Sequence, residues 1–220
     1  MLKIYSDPAL SDWLLFQPVD EHDAELIPEE TRFIREMCPE ALFAVITFQV
    51  DWFQDLTPWP AKSAFKGQPD FGSGAEKLLQ KILSDVIPEV RSSGREQKLI
   101  LGGYSLAGLF ALWTAYQTDL FSGIVAASPS VWYPGWMDYA QANQAKTSAV
   151  YLSLGDREER TRNPVMRTVG DKIRGQSDLL AAQGIPSTLV WNEGNHFVDS
   201  EKRTAMGFAW VINTLSASGG

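Results

Sequence analysis

The chain has 220 residues, 45% of them hydrophobic and 21% charged, enough to bury one good core and too little for two comfortable domains. Lys and Arg total 19 against 27 Asp and Glu, a formal charge of −8 with no basic stripe to break it. Such a surface repels phosphate backbones and anionic lipid, so no nucleic-acid or membrane partner is expected.

In chain order, MLKIYSDPAL lacks the apolar stretch of a signal peptide. No run of about 18 apolar residues follows to span a bilayer, and a cytoplasmic protein is expected. Trp13 to Phe16 is a short apolar run closed by Gln17-Pro18, and the sheet is expected to begin there. His22, in the polar run DEHDAE, reads as a solvated surface histidine. Pro28 to Met37 reads as a helix with proline in its first turn. Cys38 is the single cysteine, which excludes an intramolecular disulfide and a cysteine metal site.

Leu42 to Val50 (LFAVITFQV) has the β-branched and aromatic content of a buried strand. The segment Asp51 to Gly74 that follows is studded with Pro and Gly, and loops of that length inside a compact domain tend to be functional. From Ala75 the positions Leu78, Leu79, Ile82, Leu83 and Val86 recur at helical spacing up to Pro88. Strands are predicted at Lys98 to Leu101, Gly123 to Ala127, Ala149 to Leu154 and Ser187 to Trp191. Helices are predicted at Leu106 to Tyr116, Met166 to Gln183 and Glu201 to Leu215. The alternation argues for one α/β domain over residues 1–220, a mostly parallel sheet with helices on both faces.

The chemistry centres on KLILGGYSLAGLFAL, where a strand runs into glycines, then Ser105, then an apolar helix. That is the pattern of a nucleophile elbow, a strained turn that needs small residues two before and two after the serine. Gly103 and Ala107 supply them, the alanine departing from the G-x-S-x-G consensus by one methyl group. The amide of Leu106 is the expected first oxyanion donor, and backbone amides near Val50, Asp51 and Trp52 are candidates for the second. Serine needs a base of pKa near 7. Of the two histidines, His196 follows the last strand and fits the order serine, acid, histidine. The acid is expected after Leu154 and Gly155, where Asp156, Glu158 and Glu159 compete, with Asp199 as a fourth candidate. The aromatics Trp52, Phe53, Trp59, Trp132, Tyr133 and Trp136, all in predicted loops, suit an acyl or aryl pocket, and Tyr104 adjoins the nucleophile. The cluster Arg157 to Arg167 reads as a solvated loop or helix start, and Ser128 and Ser130 as turn residues.

On GGYSLAGLFALW, GIVAASPSVWYPGW, YLSLGDREERTRN and GNHF the chain resembles the esterase D-type putative esterase family of the α/β-hydrolase superfamily. That group contains short-chain esterases, feruloyl esterases, siderophore-ester hydrolases and mycolyltransferases. The resemblance implies an α/β-hydrolase fold lacking some N-terminal strands, and a serine esterase acting on a small-molecule ester. It places the nucleophile on Ser105, the base on His196 and the acid on Glu158, with Asp156 in reserve. It implies neither metal nor organic cofactor. A catalytically silent binding protein of the same fold, or an acyltransferase using the same triad, are the alternatives.

Overall fold

The structure is a computed structural model and describes residues 1–91 and 94–217. Its centre is a seven-stranded sheet built from β1 (Leu2–Tyr5), β2 (Trp13–Val19), β3 (Phe43–Gln49), β4 (Lys98–Tyr104), β5 (Gly123–Ala127), β6 (Ala149–Gly155) and β7 (Ser187–Asn192). The spatial order is β1-β3-β2-β4-β5-β6-β7. Every pairing is parallel except that of β1, which runs antiparallel to β3 with Leu2 opposite Phe48 and Tyr5 opposite Val45. The sheet therefore begins eleven residues before Trp13, the expected start. LKIY carries too little apolar sequence to announce a strand, and an edge strand needs little because one side faces solvent.

Successive side chains of the buried strands feed opposite faces, as the pleat requires. Leu14 and Phe16 of β2, and Val150 and Leu152 of β6, enter a core roofed by α3 (Ala75–Lys81), α5 (Ser105–Gln117), α6 (Trp136–Ala142) and α7 (Val169–Ala182). Trp13 and Leu15, with Ala149 and Tyr151, enter a second core under α1 (Glu21–Met37) and α8 (Ser200–Ala217). Helices thus cover both faces.

Helix α1 opens seven residues earlier than Pro28. Asp20 caps it by accepting from the Asp23 amide at 2.8 Å, with Glu21 and Asp23 in the first turn. Pro28 is an exposed residue inside the helix, and His22 stands exposed on its first turn. After β3 the segment expected to be loop holds α2 (Trp52–Asp55) and one bridge between Ala61 and Phe71. The helix from Ala75 passes through a π-helical stretch, Ile82–Val86, into α4 (Ile87–Val90). Among the described residues no helix is long and apolar enough to cross a membrane.

Candidate active site

Strand β4 ends at Tyr104 and α5 begins at Ser105, so the serine sits where the chain reverses from extended to helical. Ser105 has φ +56°, a left-handed conformation that is costly for a residue with a Cβ. The crowding at this turn explains its small neighbours. A Cβ on Gly103 would fall 2.4 Å from the Cβ of Ala107, so the methyl group that departs from the consensus is accommodated because position 103 has none.

The Ser105 Oγ lies 3.1 Å from His196 Nε2, and His196 Nδ1 lies 2.7 Å from Glu158 Oε2. His196 comes from the segment between β7 and α8, and Glu158 from a single 3-10 turn, Glu158–Arg160, just past β6. The Glu158 side chain is only 5% exposed, yet it is well partnered. Its Oε1 accepts from the Ser128 hydroxyl and the Gly155 amide, both at 2.7 Å, and faces Arg203 Nη1 at 3.4 Å. Burial pushes the carboxyl upward, but the bonds from His196, Ser128 and Gly155 and the attraction of the imidazole outweigh it and hold it below the usual carboxylate range. An ionised Glu158 selects the tautomer with the proton on Nδ1, leaving Nε2 as an acceptor toward the serine hydroxyl.

The other carboxylates of this segment point elsewhere. Asp156 accepts from the Gly194 amide at 2.9 Å and lies 3.9 Å from Arg157 Nε, and Glu159 pairs with Arg174 at 3.3 Å. Asp199, with φ +52°, begins the turn into α8 and accepts from the Arg203 amide at its carbonyl.

Two lobes of a cleft meet at His196 and share Trp132, Met166 and Phe197. The smaller, about 180 Å³, holds Ser105 and Leu106 and is walled by Trp52, Phe53 and Phe65. The larger, about 410 Å³, extends over Ser128, Glu158 and Thr161 to Arg157 and Arg160. Of the expected pocket residues, Trp52, Phe53 and Trp132 therefore line the cleft, and Tyr133 and Trp136 do not. Trp59 does not: its Nε1 donates to Pro134 O at 2.8 Å and its ring stacks among Tyr133 and Tyr139. Tyr104 also lies behind the cleft, its hydroxyl donating to the His196 carbonyl at 2.9 Å.

The expected oxyanion donors divide similarly. The Val50 amide is committed to Val19 O at 3.2 Å and the Asp51 amide to Asp55 Oδ2 at 2.8 Å, because Asp51 is the cap of α2. Neither is available. The Leu106 amide, in the first turn of α5, and the Trp52 amide, in the first turn of α2, meet no acceptor among the described residues, and both residues line the smaller lobe.

Four residues of the site carried no clear signal in the sequence. Ser128, with φ +43°, and Ser130, whose Oγ is 3.4 Å from that of Ser105, sit past β5. Arg203 is 2% exposed and ties Glu193 O, Asn195 O and the Tyr104 hydroxyl together at 2.9–3.1 Å. Phe197 is 89% exposed beside His196.

The model of one protein family matches residues 41–196, more than half of the chain; its description is Putative esterase. The chain belongs to that esterase family. The uncharacterised protein YbbA of Bacillus subtilis is 26% identical over 162 residues, which cover 70% of this chain and 64% of that relative. The chain thus spans under two thirds of the length of the curated relative it matches. An IroE-like serine hydrolase from Shewanella oneidensis superposes with a TM-score of 0.76 at 18% identity, over 95% of this chain and 74% of the other. The siderophore hydrolase EstA from Aspergillus nidulans gives 0.67 at 21% identity, over 98% and 85%. The enterobactin esterase FES from Shigella flexneri, solved in the presence of enterobactin, gives 0.68 at 15% identity, over 97% and 55%. These likenesses show an α/β-hydrolase fold.

Proposed function

We propose that this esterase is a serine-dependent carboxylic-ester hydrolase that works through an acyl-enzyme, with Ser105 as nucleophile, His196 as base and Glu158 as the acid that orients it. The observation that carries the reading is the unbroken chain from Ser105 Oγ through both imidazole nitrogens to a buried, ionised Glu158, in steps of 3.1 and 2.7 Å. Membership of an esterase family supports the reaction class.

In this mechanism Ser105 Oγ attacks the ester carbonyl carbon while His196 Nε2 takes its proton, and Glu158 stabilises the imidazolium. The negative charge on the carbonyl oxygen is met by the amides of Leu106 and Trp52. The bond to the alcohol oxygen then breaks as Nε2 returns the proton to it, leaving the acyl group on Ser105. Water, deprotonated by the same nitrogen, attacks the acyl carbon; the bond from that carbon to Oγ then breaks as Nε2 returns the proton to Ser105, freeing the carboxylic acid. The apolar smaller lobe beside Ser105 receives the acyl chain.

The test is labelling with a fluorophosphonate together with turnover of p-nitrophenyl esters from acetate to octanoate. The expected result is one adduct on Ser105 and hydrolysis that falls by several orders of magnitude in Ser105→Ala and His196→Ala with the fold intact. Labelling elsewhere, or undiminished turnover in Ser105→Ala, refutes the assignment.

A further inference from the structure

The segment Arg157 to Arg167 lies at the site and is not merely solvated: Arg157 and Arg160 line the larger lobe. The acids that could neutralise them are mostly engaged elsewhere. Glu158 faces His196 and Arg203, and Glu159 pairs with Arg174. Asp156 stands 3.9 Å from Arg157 but spends the same oxygen on the Gly194 amide. Arg160 meets no carboxylate among the described residues. A chain of net charge −8 therefore presents two guanidinium groups, one of them unpaired, in the wall of the lobe next to its base.

The chemistry assigns that lobe to one side of the ester. His196 Nε2 must hand its proton to the leaving alcohol, so the alcohol departs on the histidine side. Ser105 and Leu106 belong to the smaller lobe alone, whereas His196 also lines the larger one. We propose that the alcohol portion of the substrate carries a carboxylate, which Arg157 and Arg160 bind in the larger lobe while a short apolar acyl group fills the smaller. Guanidinium groups suit a planar carboxylate because their N–H pairs match its two oxygens. The inference rests on the esterase reading above.

The test compares two butyryl esters, of 3-hydroxybenzoate and of its methyl ester, which differ in the charge of the alcohol. Wild type should favour the anionic ester in kcat/KM by on the order of tenfold. The preference should shrink at high salt and disappear in Arg157→Gln/Arg160→Gln, with Arg160→Lys retaining part of it. A second pair, p-nitrophenyl hydrogen glutarate and p-nitrophenyl valerate, places the charge on the acyl side, where no preference for the anion is expected. Equal efficiency toward the two butyryl esters, or a preference unchanged in the double variant, would overturn the proposal while leaving the esterase reading intact. A preference for the glutarate ester would overturn the assignment of the lobes. Failure to hydrolyse any of the four, with Ser105 inert to fluorophosphonate, would remove the esterase reading and this inference with it.

Discussion

Arg203 stands behind Glu158, its Nη1 3.4 Å from the carboxylate oxygen that does not face His196. The same guanidinium holds the carbonyls of Glu193 and Asn195, which precede His196 by three residues and one. One side chain from α8 thereby fixes Glu158 and the loop that carries His196.

Arg203→Met should lower stability by about 2–4 kcal/mol, because it strands two carbonyls and removes the cation nearest a buried carboxylate. Turnover should fall as well, since His196 loses its anchor. Urea denaturation and ester kinetics on the same preparation check both. A variant as stable as wild type would show that water replaces the guanidinium.

Glu158→Gln should cost roughly 10²–10⁴-fold in kcat, since an amide cannot stabilise the imidazolium and can favour the wrong tautomer. Asp156→Asn should cost less than tenfold. Its carboxylate touches the Gly194 amide and Arg157, and neither the serine nor the histidine. The reverse order in kcat would move the acid to Asp156.

The left-handed backbone at Ser105 predicts a trade between activity and stability. Ser105→Gly removes the nucleophile and relieves strain at φ +56°. After the entropy that glycine adds to the unfolded chain, a gain of up to about 1 kcal/mol should remain. Thermal unfolding of wild type, Ser105→Ala and Ser105→Gly separates loss of the hydroxyl from relief of the backbone, because only the glycine should raise Tm.

Glu30 of α1 is 2% exposed, receives one bond from Gln17 Nε2 at 3.3 Å and has an unpartnered Oε1. Burial pushes its carboxyl up to about 8. The folded state therefore holds a proton that the unfolded chain releases near pH 4.5, and the stability this contributes is complete below that pH and gone above about pH 8. Stability should decline between those limits, and Glu30→Gln should flatten the decline and add about 2–3 kcal/mol at pH 7. Urea midpoints from pH 4.5 to 8.5 measure both. A midpoint in wild type that rises with pH over this interval would mean that Glu30 folds ionised.

Ser105, His196 and the competing carboxylates past β6 were legible because their signals are local. A glycine-flanked serine between strand and helix, and a histidine after the last strand, survive in one dimension. Spacing left Asp156, Glu158 and Glu159 equal, and the resemblance favoured Glu158. In three dimensions a single 3-10 turn aims one carboxylate inward and leaves the other two on the surface. Arg203 and Ser128 were illegible for the opposite reason. An arginine in the EKR run of an amphipathic helix resembles any exposed cation, and only the packing of α8 on the sheet buries it. The amides of Val50 and Asp51 failed as oxyanion donors because hydrogen bonds to Val19 and Asp55 had already used them. The helix start at Glu21 was masked by Pro28, which tolerates an interior position on the solvent side.

The order in which the site's parts occur along the chain has a consequence for synthesis. A ribosome that has delivered Ser105, the proposed nucleophile, has still to make Glu158, His196 and Arg203. The elbow and most of the sheet can assemble first, but the serine meets its histidine only after β7 and the segment beyond it emerge. The contact chain from Ser105 through His196 to Glu158 therefore cannot form until position 196 has been made, and Arg203 braces it only as α8 docks.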